Sequence, residues 1–166
     1  MAGTTKPTIT RWDFILCGVL VVVFIGLFSA LYREMFLYKF DTGLIAQYLR
    51  SQDIPHEVPG RLFLSDSDIH ISAGYLYVNG YGPTDFNFQH PPFIKYLYGI
   101  STMLTGNPFF VQLIFGAVLL LLTYVIGRAF FSSALIGALA ALLLLFDPLF
   151  HHITSQALLD LGQVVF

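Results

Sequence analysis

The chain has 166 residues, of which 56% are hydrophobic, 16% aromatic and only 11% charged. Soluble domains carry roughly a quarter charged residues, so this composition predicts an integral membrane protein. The net charge of −2 indicates neither a nucleic-acid partner nor a polybasic lipid-binding patch, and the single cysteine, Cys17, excludes an internal disulfide and a cysteine-based metal cluster.

The apolar runs predict the membrane-spanning helices. About 20 residues, each rising 1.5 Å, cross the core of a bilayer, and the runs 14–32, 108–127 and 129–146 are close to that length, with the turn between the last two at the serine pair 132–133. A fourth span is expected to start near Ile153 and to reach the last residue, Phe166. The chain is therefore interpreted as an incomplete, N-terminal part of a larger protein.

The first span is interpreted as a retained anchor, because its apolar stretch is longer than the core of a cleaved signal peptide. Lys6 and Arg11 precede it, and Arg128 lies between the second and third spans. The positive-inside rule then predicts a cytoplasmic N-terminus and an extracytoplasmic loop. We divide the chain into a cytoplasmic N-terminus with helix 1 (1–33), the loop (34–107), and helices 2, 3 and the start of 4 (108–166). A multi-pass protein of the plasma membrane or endoplasmic reticulum is expected.

The loop is predicted to carry short, amphipathic juxtamembrane helices. "DTGLIAQYLR" (41–50) and "SDIHISAGYLYVNG" (67–80) both have helical periodicity, and Ser65 or Asp66 is a candidate cap for the second. "PPFIKYLYGISTML" (91–104) opens with prolines, which suit a helix N-terminus, and its rings and single lysine suit a helix in the interface plane.

The His-Pro-Pro corner is the most singular feature of the loop. Pro91 forces His90 into extended backbone, and Pro92 fixes the φ angle that starts the next helix. His90 is thus held at the height of the lipid headgroups. Together with the carboxylates of Asp66 and Asp68 upstream and Lys95 downstream, it suits a reaction on a lipid-linked phosphate.

Two long segments resemble a known enzyme family. "SDSDIHISAGYLYVNGYGPTDFNFQHPPFIKYL" (65–97) resembles the first outer loop of the protein O-mannosyltransferases, which typically have an Asp-Glu pair, a helix and a "His-Pro-Pro-Leu-x-Lys" motif. The segment 105–160 is similar to the next three spans of that family, with its "Tyr-x-x-Gly-Arg" turn, "Asp-Pro-Leu" corner and "Leu-Asp" pair. The resemblance covers residues 65–166.

The resemblance implies an all-α membrane protein of the GT-C type that transfers a sugar, mannose first of all, from a polyprenyl-phosphate donor to a protein Ser or Thr hydroxyl with inversion. It implies no metal and no cofactor besides the donor. The partners would be the bilayer, the lipid-linked donor, an acceptor protein, and further membrane subunits or the C-terminal half.

The resemblance also implies roles for individual residues. Asp66 would be the catalytic base, with Asp68 as the runner-up, while His90, Lys95 and Asp160 would bind the substrates. Each has a structural alternative: Asp66 as a helix cap, His90 as a loop-locking residue, and Lys95 as a brace for the loop or an interfacial snorkelling lysine. Asp160 is predicted to lie a turn or two inside the fourth span, where an ionisable group is costly and usually functional.

Two departures from the family pattern keep a second interpretation open. Ser67 replaces the second carboxylate of the Asp-Glu pair, and Ser155 stands where a basic residue usually precedes the Leu-Asp pair. The alternative is a non-catalytic small membrane subunit that uses a GT-C-like scaffold to assemble a larger complex. A channel or transporter component is less favoured, because ionisable groups would then be expected along several spans.

Overall fold

The computed structural model describes residues 10–55 and 59–166. Lys6, which entered the prediction of orientation, lies outside the described residues. The described residues form helices joined by loops, with no strand beyond an isolated bridge between Ser51 and Leu62, which confirms the all-α prediction for this part of the chain. The helices are α1 (Arg11–Leu31), α2 (Arg33–Leu37), α3 (Gly43–Tyr48), α4 (Asp66–Val78), α5 (Pro92–Thr105), α6 (Phe110–Phe131), α7 (Ala134–Leu145), α8 (Pro148–Ser155) and α9 (Asp160–Val165).

Two of these helices are long and apolar enough to cross a membrane, as predicted for the first two spans. They are α1 with 21 residues and α6 with 22. The two helices run antiparallel, because Asp13 near the start of α1 pairs with Arg128 near the end of α6, while Phe24 packs against Gly116 at mid-height. Their contact forms a core of aromatic and leucine side chains that α7 and α8 complete.

The third predicted span differs from the structure. The turn does lie at Ser132 and Ser133, but α7 has only 12 residues, about 18 Å of helix, and α8 follows it at a bend of 64°. Pro148 opens α8, and the carboxylate of Asp147 accepts hydrogen bonds from the backbone N–H groups of Leu149 and Phe150 at 2.8 and 3.0 Å. This cap starts a new helix in a new direction, so α7 and α8 form at most one broken span.

The predicted start of a fourth span at Ile153 differs from the structure, because no continuous helix runs from Ile153 to Phe166. Helix α8 ends at Ser155, Gln156 has extended backbone, and α9 begins only at Asp160. We call residues 156–159 the connecting segment. It cannot continue the helix because its backbone groups are bonded to side chains of other elements, as described below.

Helices α4 and α5 form a tightly packed pair on the loop side of the fold. Ser65 caps α4, its hydroxyl accepting from the backbone N–H of Asp68 at 3.2 Å. A methyl group on Gly99 would lie 2.1 Å from the carbonyl oxygen of Gly74, so the two backbones touch at this point. Contrary to the amphipathic interpretation, α4 is buried on most of its surface from Ile69 to Tyr77, because α3, α5 and the connecting segment cover it.

A buried charged cluster joins the other ends of α1 and α6. Asp13 accepts hydrogen bonds from the Tyr124 hydroxyl at 2.6 Å and from Nη2 of Arg128 at 2.9 Å, and its carboxylate forms an ion pair with Nε of the same arginine. It also accepts from the backbone N–H of Thr10 at 2.6 Å. The sequence analysis placed the start of the span at residue 14 and so missed Asp13. This cluster fixes the register of the two spanning helices.

Replacing Gly99 by Ala should disrupt the α4–α5 contact. The new methyl group would overlap the Gly74 carbonyl, so we expect a loss of about 3 kcal/mol in the free energy of unfolding. Gly18→Ala is the matched control, because a methyl group there meets nothing within 4 Å and Ala is the better helix former. Thermal unfolding in detergent measures both variants; equal midpoints would contradict the close approach.

Replacing Asp13 by Leu should lower the unfolding midpoint, because the Arg128 guanidinium would lose its buried counter-charge. The double variant Asp13→Leu with Arg128→Met removes both charges and should recover much of that loss. Thermal unfolding of the two single variants and the double variant forms a cycle that measures the coupling. Strictly additive changes would show that the ion pair does not hold α1 against α6.

Candidate functional site

A cleft of about 350 Å³ lies where α4, the loop before α5 and the connecting segment meet. Helix α4 provides Asp66 and His70, and the loop provides His90. The remaining lining comes from the end of the connecting segment and from α9, through Leu158, Leu159, Asp160 and Gln163. Three sequence-predicted site residues, Asp66, His90 and Asp160, thus share one cleft although they are far apart in the chain.

The first turn of α4 separates its two carboxylates. Asp66 is exposed and lines the cleft, whereas Asp68 does not line it and accepts a 2.7 Å hydrogen bond from the Ser65 hydroxyl. Burial, followed by the negative charges of Asp68 and Asp41, raises the pKa of Tyr38. The helix-cap interpretation of Asp66 is wrong, because Ser65 caps the helix.

His70 is a cleft residue that the sequence analysis did not single out. Its Nδ1 lies 3.0 Å from the carbonyl oxygen of Ala157. A carbonyl only accepts, so Nδ1 carries a proton and Nε2 of the neutral ring is left as an acceptor. Burial lowers the pKa of His70, although the bond to Ala157 opposes this shift. The neutral form is therefore favoured near pH 7. The sequence does indicate that His70 could enter the cleft. It lies four residues after Asp66, and residues i and i+4 share a helix face.

The ring of His70 faces the ring of His90. The two ring centroids are 5.8 Å apart and the planes are nearly perpendicular. His70 is buried, whereas His90 is exposed to solvent at the rim. The cleft thus combines a buried imidazole, fixed by its bond to Ala157, with an imidazole that is exposed at the rim.

A buried polar cluster holds the connecting segment and so forms one wall of the cleft. Nε2 of Gln112 donates to the carbonyl oxygens of Gln156 and Leu158, both at 2.7 Å. The Tyr98 hydroxyl donates to the same Leu158 oxygen at 2.6 Å and accepts from Gln112 at 2.7 Å. Because both side chains are fully buried, these bonds replace the helical bonds that the segment would otherwise make.

Ser67 bonds α4 to the connecting segment at this wall of the cleft. Its hydroxyl accepts a 3.0 Å hydrogen bond from the backbone N–H of Ala157. With the bond from His70 to the carbonyl of the same residue, α4 pairs with both backbone groups of Ala157. The serine that replaces a carboxylate of the resembled motif therefore anchors α4 to the connecting segment.

Lys95 lies behind the cleft rather than in its lining. Its side chain is 0% exposed, and its Nζ donates to the carbonyl oxygens of Asn87 at 2.7 Å and His90 at 3.0 Å. Asn87 has a positive φ of 45° and donates from its side chain to Asp53. The snorkelling interpretation is thus wrong, and the geometry favours Lys95 as the brace of the loop that carries His90. The side chain of Lys95 is not part of the cleft lining.

Asp160 also differs from its prediction. It is the first residue of α9 and is exposed at the cleft, not a turn or two inside a helix that starts near Ile153. What keeps Asp160 of interest is its position across the cleft lining from Asp66 and His90.

Within residues 10–55 and 59–166, no group of three or more His, Cys, Asp or Glu side chains is arranged to hold a metal ion. The carboxylates and imidazoles that line the cleft are suited to proton transfer and hydrogen bonding.

Comparison of the chain with protein-family models, with curated proteins and with solved structures finds no match in any of the three. The function is therefore argued from the chemistry of the cleft.

The buried ammonium of Lys95 gives a prediction about pH. Burial lowers the pKa of Lys95 to about 8, with the charge of Asp53 opposing the shift, while the unfolded chain has the ordinary value near 10.4. Between these values the unfolded state binds more protons, so the free energy of unfolding should rise from pH 8 to pH 9.5.

Chemical denaturation at several pH values in that range would measure this rise. Lys95→Met should abolish it, whereas the matched variant of an exposed lysine, Lys39→Met, should keep it. A wild-type stability that is flat or falls over this range would contradict the burial of a titrating ammonium.

Proposed function

We propose that the chain is a membrane glycosyltransferase of the GT-C type, or part of one. It transfers a sugar, with mannose as the first candidate, from a polyprenyl-phosphate donor to a protein Ser or Thr hydroxyl. The observation that supports this best is the meeting of Asp66, His90 and Asp160 in one cleft. These residues come from three separate segments, and together they provide a base and hydrogen-bonding groups beside apolar helices.

The chemistry requires one well-placed base. As the acceptor oxygen attacks the anomeric carbon, the carboxylate of Asp66 takes the hydroxyl proton, and the bond between that carbon and the phosphate oxygen breaks. The lipid phosphate leaves as a stable anion, so it needs no general acid. A single displacement of this kind inverts the anomeric configuration.

The other cleft residues suit supporting roles. The exposed imidazole of His90 can donate a hydrogen bond to the phosphate, and a protonated ring would also offset the charge that develops there. Nε2 of His70 and the carboxylate of Asp160 can accept hydrogen bonds from sugar hydroxyls. In this scheme Lys95 is a positioning residue, since it acts on the backbone of His90 and not on the substrate.

The membrane arrangement in this proposal follows the antiparallel helices α1 and α6. Their paired ends at Asp13 and Arg128 would lie on the cytoplasmic side, where basic residues are enriched. The segment between α1 and α6 would then be extracytoplasmic, with the cleft close to the outer lipid phosphates. Multi-pass insertion through α1, α6 and the bent pair α7–α8 is part of the same proposal.

A second candidate is a non-catalytic subunit of a larger membrane complex. One observation favours it: Ser67 and Lys95, at motif positions of the resembled enzymes, are both committed to internal hydrogen bonds. Such a subunit would keep the scaffold without turnover.

Replacing Asp66 by Asn tests the enzymatic proposal. Membranes that contain the protein would be given a polyprenyl-phosphate mannose and a Ser/Thr-containing peptide, and mannosylated peptide would be measured. Loss of the base should reduce transfer by about 10²–10⁴-fold, while donor binding is largely kept.

Asp85→Asn is the matched control, since Asp85 is an exposed residue of the same loop and its carboxylate accepts a hydrogen bond only from the nearby Gly82 N–H within the described part of the chain. Full transfer by the Asp66 variant would exclude this residue as the base. A wild type that binds the donor but transfers none of a panel of polyprenyl-phosphate sugars would favour the subunit.

A further inference from the structure

A second cavity, of about 740 Å³, lies at the end of α1 on the same side of the fold as the loop. The turn from α1 into α2 and the residues up to Tyr38 form one wall, while Phe109 and the end of α8 form the other. We propose that this cavity binds the headgroup of an amine-bearing phospholipid, with the phosphate on Arg33 and the ammonium on Glu34. This inference is independent of the proposed transfer reaction.

The height of the cavity argues for a headgroup. Helix α1 has 21 residues, which at 1.5 Å per residue gives about 31 Å, the thickness of the hydrocarbon core of a bilayer. The helix ends at Leu31, so Arg33 and Glu34 fall just beyond that core. The aromatic Tyr32 at the same level, and the exposed Trp12 at the opposite end of α1, are typical of the two membrane interfaces.

The rim of the cavity is suited to acyl chains. Leu31 and Leu37 both line it and are 59% and 63% exposed. Two large apolar side chains flank a cavity that also carries charged groups. A ligand there meets an apolar surface on one side and polar groups on the other. This is the pattern that a lipid molecule matches when its headgroup enters and its chains stay in the bilayer.

The polar groups of the cavity match a phosphate. Arg33 is exposed and makes no hydrogen bond or ion pair with another residue in the described part of the chain. An arginine fork binds phosphate oxygens in bidentate fashion. Tyr38 is half-buried against Phe109, with ring centroids 5.0 Å apart, and its hydroxyl makes no hydrogen bond with another described residue. It can donate a further bond to the phosphate.

Glu34 decides which phospholipid fits. It lines the same cavity and is exposed, so the cavity carries one positive and one negative side chain. A headgroup with only negative charge would meet repulsion from this carboxylate, whereas a phosphate followed by an ammonium pairs with both residues. The volume also lies within the range of about 300–1,000 Å³ that small-molecule sites usually have.

The test is lipid retention by the full chain. Protein reconstituted with equal amounts of phosphatidylethanolamine, phosphatidylglycerol and polyprenyl phosphate would be extracted in mild detergent, and the lipids still bound would be counted by native mass spectrometry. We expect the wild type to retain phosphatidylethanolamine. Arg33→Gln should lower this retention about tenfold or more, because a charge-assisted pair is lost.

Two further variants and a control sharpen the test. Tyr38→Phe should weaken retention severalfold, and Glu34→Gln should shift the preference toward phosphatidylglycerol. Lys39→Gln, at an exposed lysine outside the cavity lining, should retain as much lipid as the wild type. All four changes lie at half-exposed or exposed side chains, so folding should persist.

Three results would overturn the proposal: no phospholipid on the wild type, equal loss from the Arg33 and Lys39 variants, or Arg33-dependent retention of polyprenyl phosphate in preference to phosphatidylethanolamine. The last would assign the cavity to a polyprenyl-phosphate ligand instead. Because binding and not transfer is measured, failure here is distinguishable from failure of the proposed enzyme activity.

Discussion

Buried polar atoms need partners, and in this protein that requirement interrupts a helix and creates the cleft. Gln112 and Tyr98 are fully buried between α5 and α6, where an unpaired amide or hydroxyl would cost several kcal/mol. Their donor groups, Nε2 of Gln112 and the Tyr98 hydroxyl, are paired with the carbonyl oxygens of Gln156 and Leu158, whereas Oε1 of Gln112 has no hydrogen-bond partner among the described residues. These carbonyls are available only if the backbone leaves the helix. Side-chain hydrogen bonds thus replace the helical bonds of this backbone. Three features depend on that replacement: the extended connecting segment, the start of α9 at Asp160 and the wall of the cleft.

A second constraint holds the opposite wall. Gly74 and Gly99 let the backbones of α4 and α5 touch, and one turn earlier on α5 the buried Lys95 reaches back to the loop carbonyls. The ammonium satisfies two carbonyls that would otherwise be buried without donors. His90 is therefore fixed through its backbone, while its ring remains exposed. The site combines a rigid frame with a side chain that can respond to a ligand.

The charges of the protein are divided between its two ends. One end has the closed cluster of Asp13, Tyr124 and Arg128, in which every group is occupied by another. The other end has an open cleft with two carboxylates and two imidazoles, and a cavity with one residue of each charge. Charged groups that pair with one another hold helices together, whereas charged groups exposed in a cleft or cavity are suited to ligands. This difference is why the proposed transfer reaction and the proposed lipid site both lie at the loop end.

The sequence alone determined the helical class, the first two candidate spanning helices and the serine turn before α7, and it narrowed the cap of α4 to Ser65 or Asp66. Each depends on local composition, spacing or capping chemistry, which a linear chain displays. It also indicated Asp66, His90 and Asp160 as residues of interest, through motifs with a recognisable order.

Only the tertiary structure decided that Asp68 and Lys95 do not line the cleft, that His70 does, and that the chain leaves the helix at Gln156 before α9 begins at Asp160. These outcomes depend on which backbone groups buried side chains from distant elements can reach. The apolar run after Ile153 has the composition of a spanning helix. Its carbonyl oxygens at Gln156 and Leu158 nevertheless accept hydrogen bonds from Gln112, more than forty residues earlier in the chain. Hydrophobicity is a local property, whereas the satisfaction of buried hydrogen bonds is a property of the whole fold.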